Sequence, residues 1–530
     1  MSNTFHHGLT IRDGEVTRPI RTNSTNTIGL VGTAGKGAIN EPLLITSYTQ
    51  AVETFGPLRN DGFTLVKDLK DIFNQNNSRV IAINVAPRDT LVDVEAESIT
   101  FTESTGIANT AKTHISAVST GTTIVTKVTL DGAGDYAFPS GITAITAVKS
   151  ADGATTYVED TDWEVSGTTL SYISDGDIAL RQELQVTYTA TLVADTDYSF
   201  DGATGKFTRL NGLIVGPATI SVDYSYVNPT VADADVIGEQ GATVADNTGV
   251  YAVLRAPAAF GLTPKLICAP SHSDALPESG ANLITTALLA AAEKLGAIAI
   301  TNTPLSITDA ITYRNLHKDK RLYAIQTKHY LTLDGVKVAQ NMAAIAASLF
   351  AKSDATRKEG VAASPSNMKI NGVTELVNPV EFNLTVSGTQ TDTLNENRIA
   401  TVANIDGFRL WGNRSTTEDT TYSFINVIRV SDYVKDIIAS SHLDLVDRNI
   451  TQNYIQILLQ RVNGILSNLK ASDTLNYGKA YENPTLNTAN SKQSGVLYID
   501  YKIGIPGVAE HIIFTANIVN GYVANIEEAN

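Results

Sequence analysis

A single cysteine, Cys268, is present in 530 residues, so no intrachain disulfide can form. It lies inside the apolar run 265–270, where a buried, inert thiol is expected rather than a nucleophile. No stretch approaches 18 unbroken apolar residues, which argues against a membrane-spanning helix. The first ten residues are polar, with His6 and His7, and lack the apolar segment of a secretory signal. Charged residues make up only 18% of the chain, and basic ones are the scarcer, 39 against 55 acidic. Without clustered lysine and arginine there is no nucleic-acid surface to read, and direct nucleic-acid binding is not expected.

The acidic excess is local. Between residues 91 and 240 there are 21 Asp or Glu against six Lys or Arg, a balance of −15 in a chain whose net charge is −16. A hydrophobic content of 43% supplies material for real cores, and the length requires more than one. An acidic module on a neutral body is therefore expected.

The flanks of that module alternate between the two periods. Short apolar runs at 27–31, 79–85, 266–269, 297–300 and 321–327 read as strands. Helical patterns at 47–55, 63–74, 283–295, 308–316 and 335–350 separate them. Strand, helix, strand in that rhythm implies parallel pairing with right-handed crossovers. Within 91–240 the texture changes to short β-branched runs between Gly and Asp turns. There 160–165 with 184–189 is echoed by 195–200 with 220–225. Asp160, Asp162 and Glu164, like Asp195 and Asp197, alternate and are expected to face solvent. The glycine and glutamate that a calcium-binding EF-hand loop needs are absent.

Two further patterns fail as chemistry. Gly32, Gly35 and Gly37 surround Lys36, but Leu30 stands where a phosphate loop needs glycine, and Gly37 where it needs a hydroxyl. Ser271, His272, Ser273 and Asp274 follow a strand, yet four adjacent residues do not form a triad, and no G-x-S-x-G turn holds either serine.

The clearest element lies near the C-terminus. Ile455, Leu458, Leu459, Val462, Ile465, Leu466 and Leu469 make one apolar stripe over a helix at 449–471, with Asn449 as its expected cap. A second helix is expected at 431–446, a non-periodic loop or small flap over 472–494, and strands at 497–503 and 509–519. The fold class is α+β and multidomain, an α/β core with parallel or mixed sheets, inserted β-rich domains and extended terminal arms. The expected divisions are an N-terminal arm at 1–26; a discontinuous α/β core at 27–90 with 241–397; an acidic β-rich insertion at 91–156; a second at 157–240; a C-terminal domain at 398–516; and an arm at 517–530.

The order of these segments resembles the contractile tail sheath proteins of bacteriophages and related injection machines. The matching pieces are the opening strand with Gly29, Gly32, Gly35 and Gly37, and the run from Thr263-Pro264 to Ala269-Pro270. Further along come residues 363–372, Trp411-Gly412-Asn413-Arg414, the helix pair over 431–469, and the strand near 509–515. Residues 157–238 also look like the family's variable insertion. The resemblance implies a structural protein without active site, cofactor or metal. It implies stacked rings of self-associated subunits forming a helical polymer around a tail tube protein, with baseplate and tail terminator proteins as further partners. Such a virion component would be assembled in the host cytoplasm, and its contraction would drive the tube through the host envelope. Terminal arms would add strands to neighbouring subunits, which points to Arg12, Arg18, Ile20, Val519, Tyr522 and Val523. Gln456, Gln460, Asn463 and Lys470, opposite the apolar stripe, form either a tube-facing surface or a solvated face. Two other classes stay open. An α/β hydrolase or carbohydrate-active enzyme would need His, Asp or Glu converging in one pocket. A static shell or adhesin would show a single lattice.

Overall fold

The structure is a computed structural model that describes residues 25–87, 91–102, 105–110, 112–210 and 212–518. The chain divides into two compact units, one of residues 23–356 with 365–425, the other of 357–364 with 426 onward. Among the described residues no helix is long and apolar enough to cross a membrane.

The larger unit is built on a six-stranded sheet. Its spatial order is Leu322–Ile325, Ile298–Asn302, Leu266–Cys268, Thr27–Gly32, Arg79–Asn84, Pro42–Ile45. The first five strands are parallel and the last is antiparallel. The central strands read as unbroken apolar runs because both faces are covered. Helix Leu283–Leu295 packs on one face, and the alanine-rich helix Ala343–Thr356 and helix Leu65–Gln75 are associated on the other. Cys268 is buried in its strand, and burial pushes its thiol well up, away from reactive thiolate.

The helix expected at 335–350 is in fact a strand followed by a helix. Val336–Asn341 pairs antiparallel with Lys328–Leu333, and the helix begins only at Ala343. The reason is the connection, where Asp334 and Gly335 both take positive φ (49° and 79°). Two consecutive left-handed residues make the tight turn that suits a hairpin.

Residues 91–227 form the β-rich insertion. Its six-stranded sheet runs in the order Leu91–Phe101, Ala218–Val227, Ile115–Thr129, Glu183–Ala190, Ile142–Ser150, Thr156–Tyr157. One apolar core extends from Ile99 to Tyr224. The boundary expected at 156/157 thus falls inside one packed body, whose sheet interleaves strands from both sides of it.

The weak sequence repeat is a nested duplication. Trp163–Ser166, Thr169–Tyr172 and Asp135–Ala137 form a three-stranded sheet in the same order as Tyr198–Asp201, Lys206–Arg209 and Ile107–Asn109. Glu183–Ala190 then lies between Ile115–Thr129 and Ile142–Ser150, and Ala218–Val227 between Leu91–Phe101 and Ile115–Thr129. The long strand Ile115–Thr129 serves both units.

The duplicated Asp turns match bond for bond. Asp160 and Asp195 sit at φ of 60° and 61°. Asp162 accepts from the backbone N–H of Val158 at 2.7 Å and of Asp177 at 2.9 Å. Asp197 accepts from Val193 at 2.8 Å and Leu213 at 2.9 Å. The expectation that all these acids face solvent is corrected for Asp162 and Asp197, which are buried. They satisfy backbone donors that the turn leaves free. Asp160, Glu164 and Asp195 are exposed.

In the smaller unit, helix Ile425–Ser441 packs with helix Gln452–Ala471 and the hairpin Tyr477–Glu482/Ile499–Gly504. The long helix starts later than expected. Thr451, not Asn449, is its cap, accepting from the N–H of Tyr454 at 3.1 Å. Ile455, Val462, Ile465, Leu466 and Leu469 are buried as the stripe predicts, with Leu458 and Leu459 half-buried. The first helix runs six residues earlier than its pattern suggested, and 443–445 is a separate short turn. Residues 472–494, read as a loop or flap, contain the first hairpin strand and a short helix Ala489–Gln493. The strand expected at 509–519 is absent through residue 518. That segment is exposed and joins no strand among the described residues.

Candidate assembly interface

The catalytic leads dissolve in the larger unit. Lys36 donates to the carbonyl of Glu53 at 2.9 Å, and Gly35 is needed because a Cβ there would meet the His114 ring at 2.1 Å. The glycine cluster is thus close packing between a strand end and a neighbouring loop. After the strand Leu266–Cys268, Ser273 Oγ donates to the carbonyl of Ala269 at 3.0 Å and Asp274 pairs with Lys328 at 2.5 Å. His272 Nε2 is buried without a hydrogen-bond partner, and burial lowers its pKa. Ser273 and Asp274 thus each have a partner other than His272. Among the described residues no group of three or more His, Cys, Asp or Glu is placed to hold a metal ion.

The smaller unit instead offers surfaces. The connection between its two long helices is stitched to the second helix. Arg461 pairs with Asp444 through Nη1–Oδ1 at 2.6 Å and Nη2–Oδ2 at 3.3 Å, and donates to the Ser441 carbonyl at 2.7 Å. Tyr454 donates its hydroxyl to the Leu445 carbonyl at 2.7 Å. The Arg461 guanidinium holds the Asp444 carboxyl below its usual range. This connection borders a cleft of about 670 Å³ whose walls include Ile438, Val446, Ile450, Leu458 and Leu497.

Gln456, Gln460 and Lys470 are exposed on the long helix, as a face opposite the stripe should be. Asn463 is different. Its amide donates to the carbonyls of Leu459 at 2.8 Å and Ala480 at 3.2 Å, and accepts from the Ala480 N–H at 2.9 Å. It fastens the hairpin to the helix, so the structure leaves three of the four candidates exposed and commits the fourth, half-buried, to the hairpin. Arg12, Arg18, Ile20, Val519, Tyr522 and Val523 lie outside the described residues. Just before the last three, Ile512, Ile513, Phe514 and Ile518 are exposed, Phe514 to 90%. Pattern reading marked this segment as a strand, whereas among the described residues it pairs with none.

Large exposed apolar segments are the kind of surface that other protein covers. Residues 243–416 match the phage tail sheath protein central domain family, and residues 417–519 the phage tail sheath C-terminal domain family. A putative prophage major tail sheath protein of Pseudomonas aeruginosa (strain UCBPP-PA14) is 31% identical over 304 residues, covering 56% of this chain and 76% of that one. The tail sheath protein of Burkholderia phage BcepMu is 26% identical over 551 residues, covering 100% of both chains. Among solved structures, the contracted-state sheath complex of the extracellular contractile injection system PVC is similar over 98% of each chain, with a TM-score of 0.49 and 11% identity. The chain belongs to the phage tail sheath family. That membership gives it a structural role.

Proposed function

We propose that the chain polymerises as stacked rings around a tail tube protein and contracts when a baseplate triggers it, driving the tube through the host envelope. The observation that carries this reading is the exposed apolar segment Ile512–Ile518, which pairs with no strand among the described residues. Beside it in sequence is the two-stranded hairpin Tyr477–Glu482/Ile499–Gly504. A two-stranded ribbon is marginal alone and has two edges to offer, so strands arriving from neighbours would stabilise both donor and acceptor. Residues 1–26 and 517–530 are the proposed arms, with Arg12, Arg18, Ile20, Val519, Tyr522 and Val523 in the added strands.

Contraction needs no bound nucleotide on this reading. An extended polymer stores energy if subunit contacts improve in the shorter lattice, and a small difference per subunit is multiplied over many copies. The exposed Gln456, Gln460 and Lys470 are the proposed tube-facing groups. Tail terminator proteins would cap the polymer, and assembly would take place in the host cytoplasm before incorporation in the virion.

Electron microscopy of the purified full chain beside a version lacking residues 1–20 tests the proposal. Hollow tubes from the full chain and none from the truncation are expected. Monomers from both would overturn it.

A further inference from the structure

An inserted module ordinarily moves against the domain that carries it, because such interfaces are modest and polar. The insertion 91–227 is attached to the core of the larger unit differently, at the core loop 56–63. His114 belongs to the insertion by its backbone, whose N–H donates to the Ala203 carbonyl at 3.4 Å and whose carbonyl accepts from the Val227 N–H at 3.3 Å. By its side chain it belongs to the core. The ring lies between Gly35 and Gly56, where a Cβ on either glycine would overlap it, and stands edge-on to Phe63 with centroids 5.4 Å apart. A φ of 56° aims it there, in a region that a residue other than glycine keeps only when its surroundings hold it. Next to it, Thr113 donates its hydroxyl to Asp61 Oδ2 at 2.7 Å, and both residues are buried.

Two more segments of the insertion end on the same loop. Arg59 Nη1 donates to the Thr204 carbonyl at 2.6 Å, while its Nε pairs at 3.5 Å with Asp334 in the turn of the core hairpin. The Asn60 N–H donates to that same carboxylate at 3.0 Å, so the loop is itself anchored. Val227 packs with Phe63 and Ala86, and a Cβ at Gly62 would meet Pro229 at 2.7 Å. A hinge needs one line of contact that survives while the others open. Here a swing about any one of the segments 113–114, 203–204 and 227–229 breaks the contacts at the other two. Parting Thr113 from Asp61 also strands a buried carboxylate oxygen, and a ring seated between two glycines has no room to slide.

We infer that loop 56–63 locks the insertion to the core, with His114 as the key, so that the two unfold and move as one body. This holds whether or not the chain polymerises; in the polymer proposed above, a locked insertion would turn with the core wherever subunits rotate. Hydrogen exchange read by mass spectrometry along a urea series follows both parts in one sample of the full chain. Peptides from Glu183–Ala190 and Ala218–Val227 report the insertion, and those from Arg79–Asn84 and Ile298–Asn302 the core. In the wild type both sets should lose protection at one midpoint. Asp162→Ala, wholly inside the insertion, should lower that midpoint in both sets. Combined with His114→Asn and Arg59→Ala, it should leave the insertion's midpoint below the core's by roughly 0.5–1 M urea. Asparagine accepts the left-handed backbone at 114 and lacks the ring. Separate midpoints in the wild type would overturn the inference, as would Asp162→Ala leaving the core peptides unmoved. Coincident midpoints in the triple variant would overturn it too. Should that variant not fold, Arg59→Ala with Asp162→Ala carries the same test, since the Arg59 side chain is 20% exposed and spans the junction from outside. Its midpoints should separate by less, and their coincidence would again overturn the lock.

Discussion

Replacing Asp68 by Asn should stabilise the larger unit at alkaline pH and flatten its pH dependence. Asp68 lies in helix Leu65–Gln75, wholly buried, and neither of its carboxylate oxygens has a hydrogen-bond partner. Burial raises its pKa well above the usual value, and the Asp71 carboxylate three residues on adds to the rise, while Lys67 opposes it. The folded state therefore keeps a proton that the unfolded chain releases near pH ~3.9. Below that pH both states are protonated and burial of Asp68 carries no ionisation penalty. As pH rises above it, the folded state binds more protons than the unfolded one, and stability falls by about 1.4 kcal/mol per pH unit until the folded pKa is passed. Asparagine has nearly the same shape and no proton to lose. The stability difference between variant and wild type should thus be smallest near pH 4 and grow in the variant's favour at about that slope. Urea unfolding followed by tryptophan fluorescence at pH 5, 6, 7 and 8 measures it, with Trp411 reporting on this unit. Parallel pH profiles for the two proteins would refute the reasoning, because they would mean that Asp68 ionises as freely folded as unfolded.

The duplicated turns of the insertion should fail in the same way when their carboxylates are removed. Asp162→Ala and Asp197→Ala each strand two backbone N–H groups, so both should lower the insertion's thermal midpoint, with Trp163 emission reporting the first. Acid should mimic Asp162→Ala. The N–H groups of Asp177 and Val158 hold the Asp162 carboxyl below its usual value, so this contribution is present at neutral pH and lost as pH falls through the depressed pKa. Wild-type melting of either variant would show that the turn bonds are replaceable by water. On the long helix, Asn463→Ala should cost about 1–3 kcal/mol, since it leaves polar groups of Ala480 without their side-chain partner. Gln456→Ala and Gln460→Ala should stay within about 0.5 kcal/mol, as exposed positions do. Equal losses at all three, read by urea unfolding, would refute the distinction.

What could be read from sequence was what is locally encoded. Helix Leu283–Leu295 begins and ends where its pattern does, because Asn282 caps it and Gly296 closes it in the left-handed region at φ 57°. The parallel strands announce themselves as apolar runs bounded by turns. The failures are long-range. Asn463 looks like any polar residue on a solvated face, and its partners beyond its own helix come from the hairpin 17 residues later. Strand Tyr477–Glu482 buries a single residue, Ala480, so it leaves almost no alternation to detect. Val336–Asn341 was hidden by the alanine-rich helix that follows, although Asp334-Gly335 carried the hairpin signal. Asn449 was as good a cap by type as Thr451, and the choice between them depends on where the connection stitched by Arg461 and Tyr454 releases the chain.

One disagreement between pattern and structure has a different character. Residues 509–519 have the alternation of a strand, yet through 518 they form no strand and pair with none among the described residues. Residues 380–386 show the same alternation in Val380, Phe382, Leu384 and Val386, yet the structure turns them into a pinned loop that covers Val380 and Phe382 in part and leaves Leu384 and Val386 exposed. In a protein that functions alone, such a conflict between local preference and observed environment would be a defect, and selection removes defects of that size. The large exposed apolar side chains in question are Ile512, Ile513, Phe514, Leu384 and Val386. Each is where a polymer subunit would keep surface for its neighbours. Elsewhere the chain protects itself. The edge strand Leu91–Phe101 of the insertion carries Asp93, Glu95 and Glu97, charges that discourage pairing with another edge. An acidic outer edge and apolar unpaired segments in one sequence are consistent if adhesion is wanted at some surfaces and must be prevented at others. Neutralising Asp93, Glu95 and Glu97 should then promote lateral association of assembled tubes without changing assembly of the tubes themselves. Light scattering on assembled tubes distinguishes the two, and unchanged scattering would mean that this edge is covered by other means.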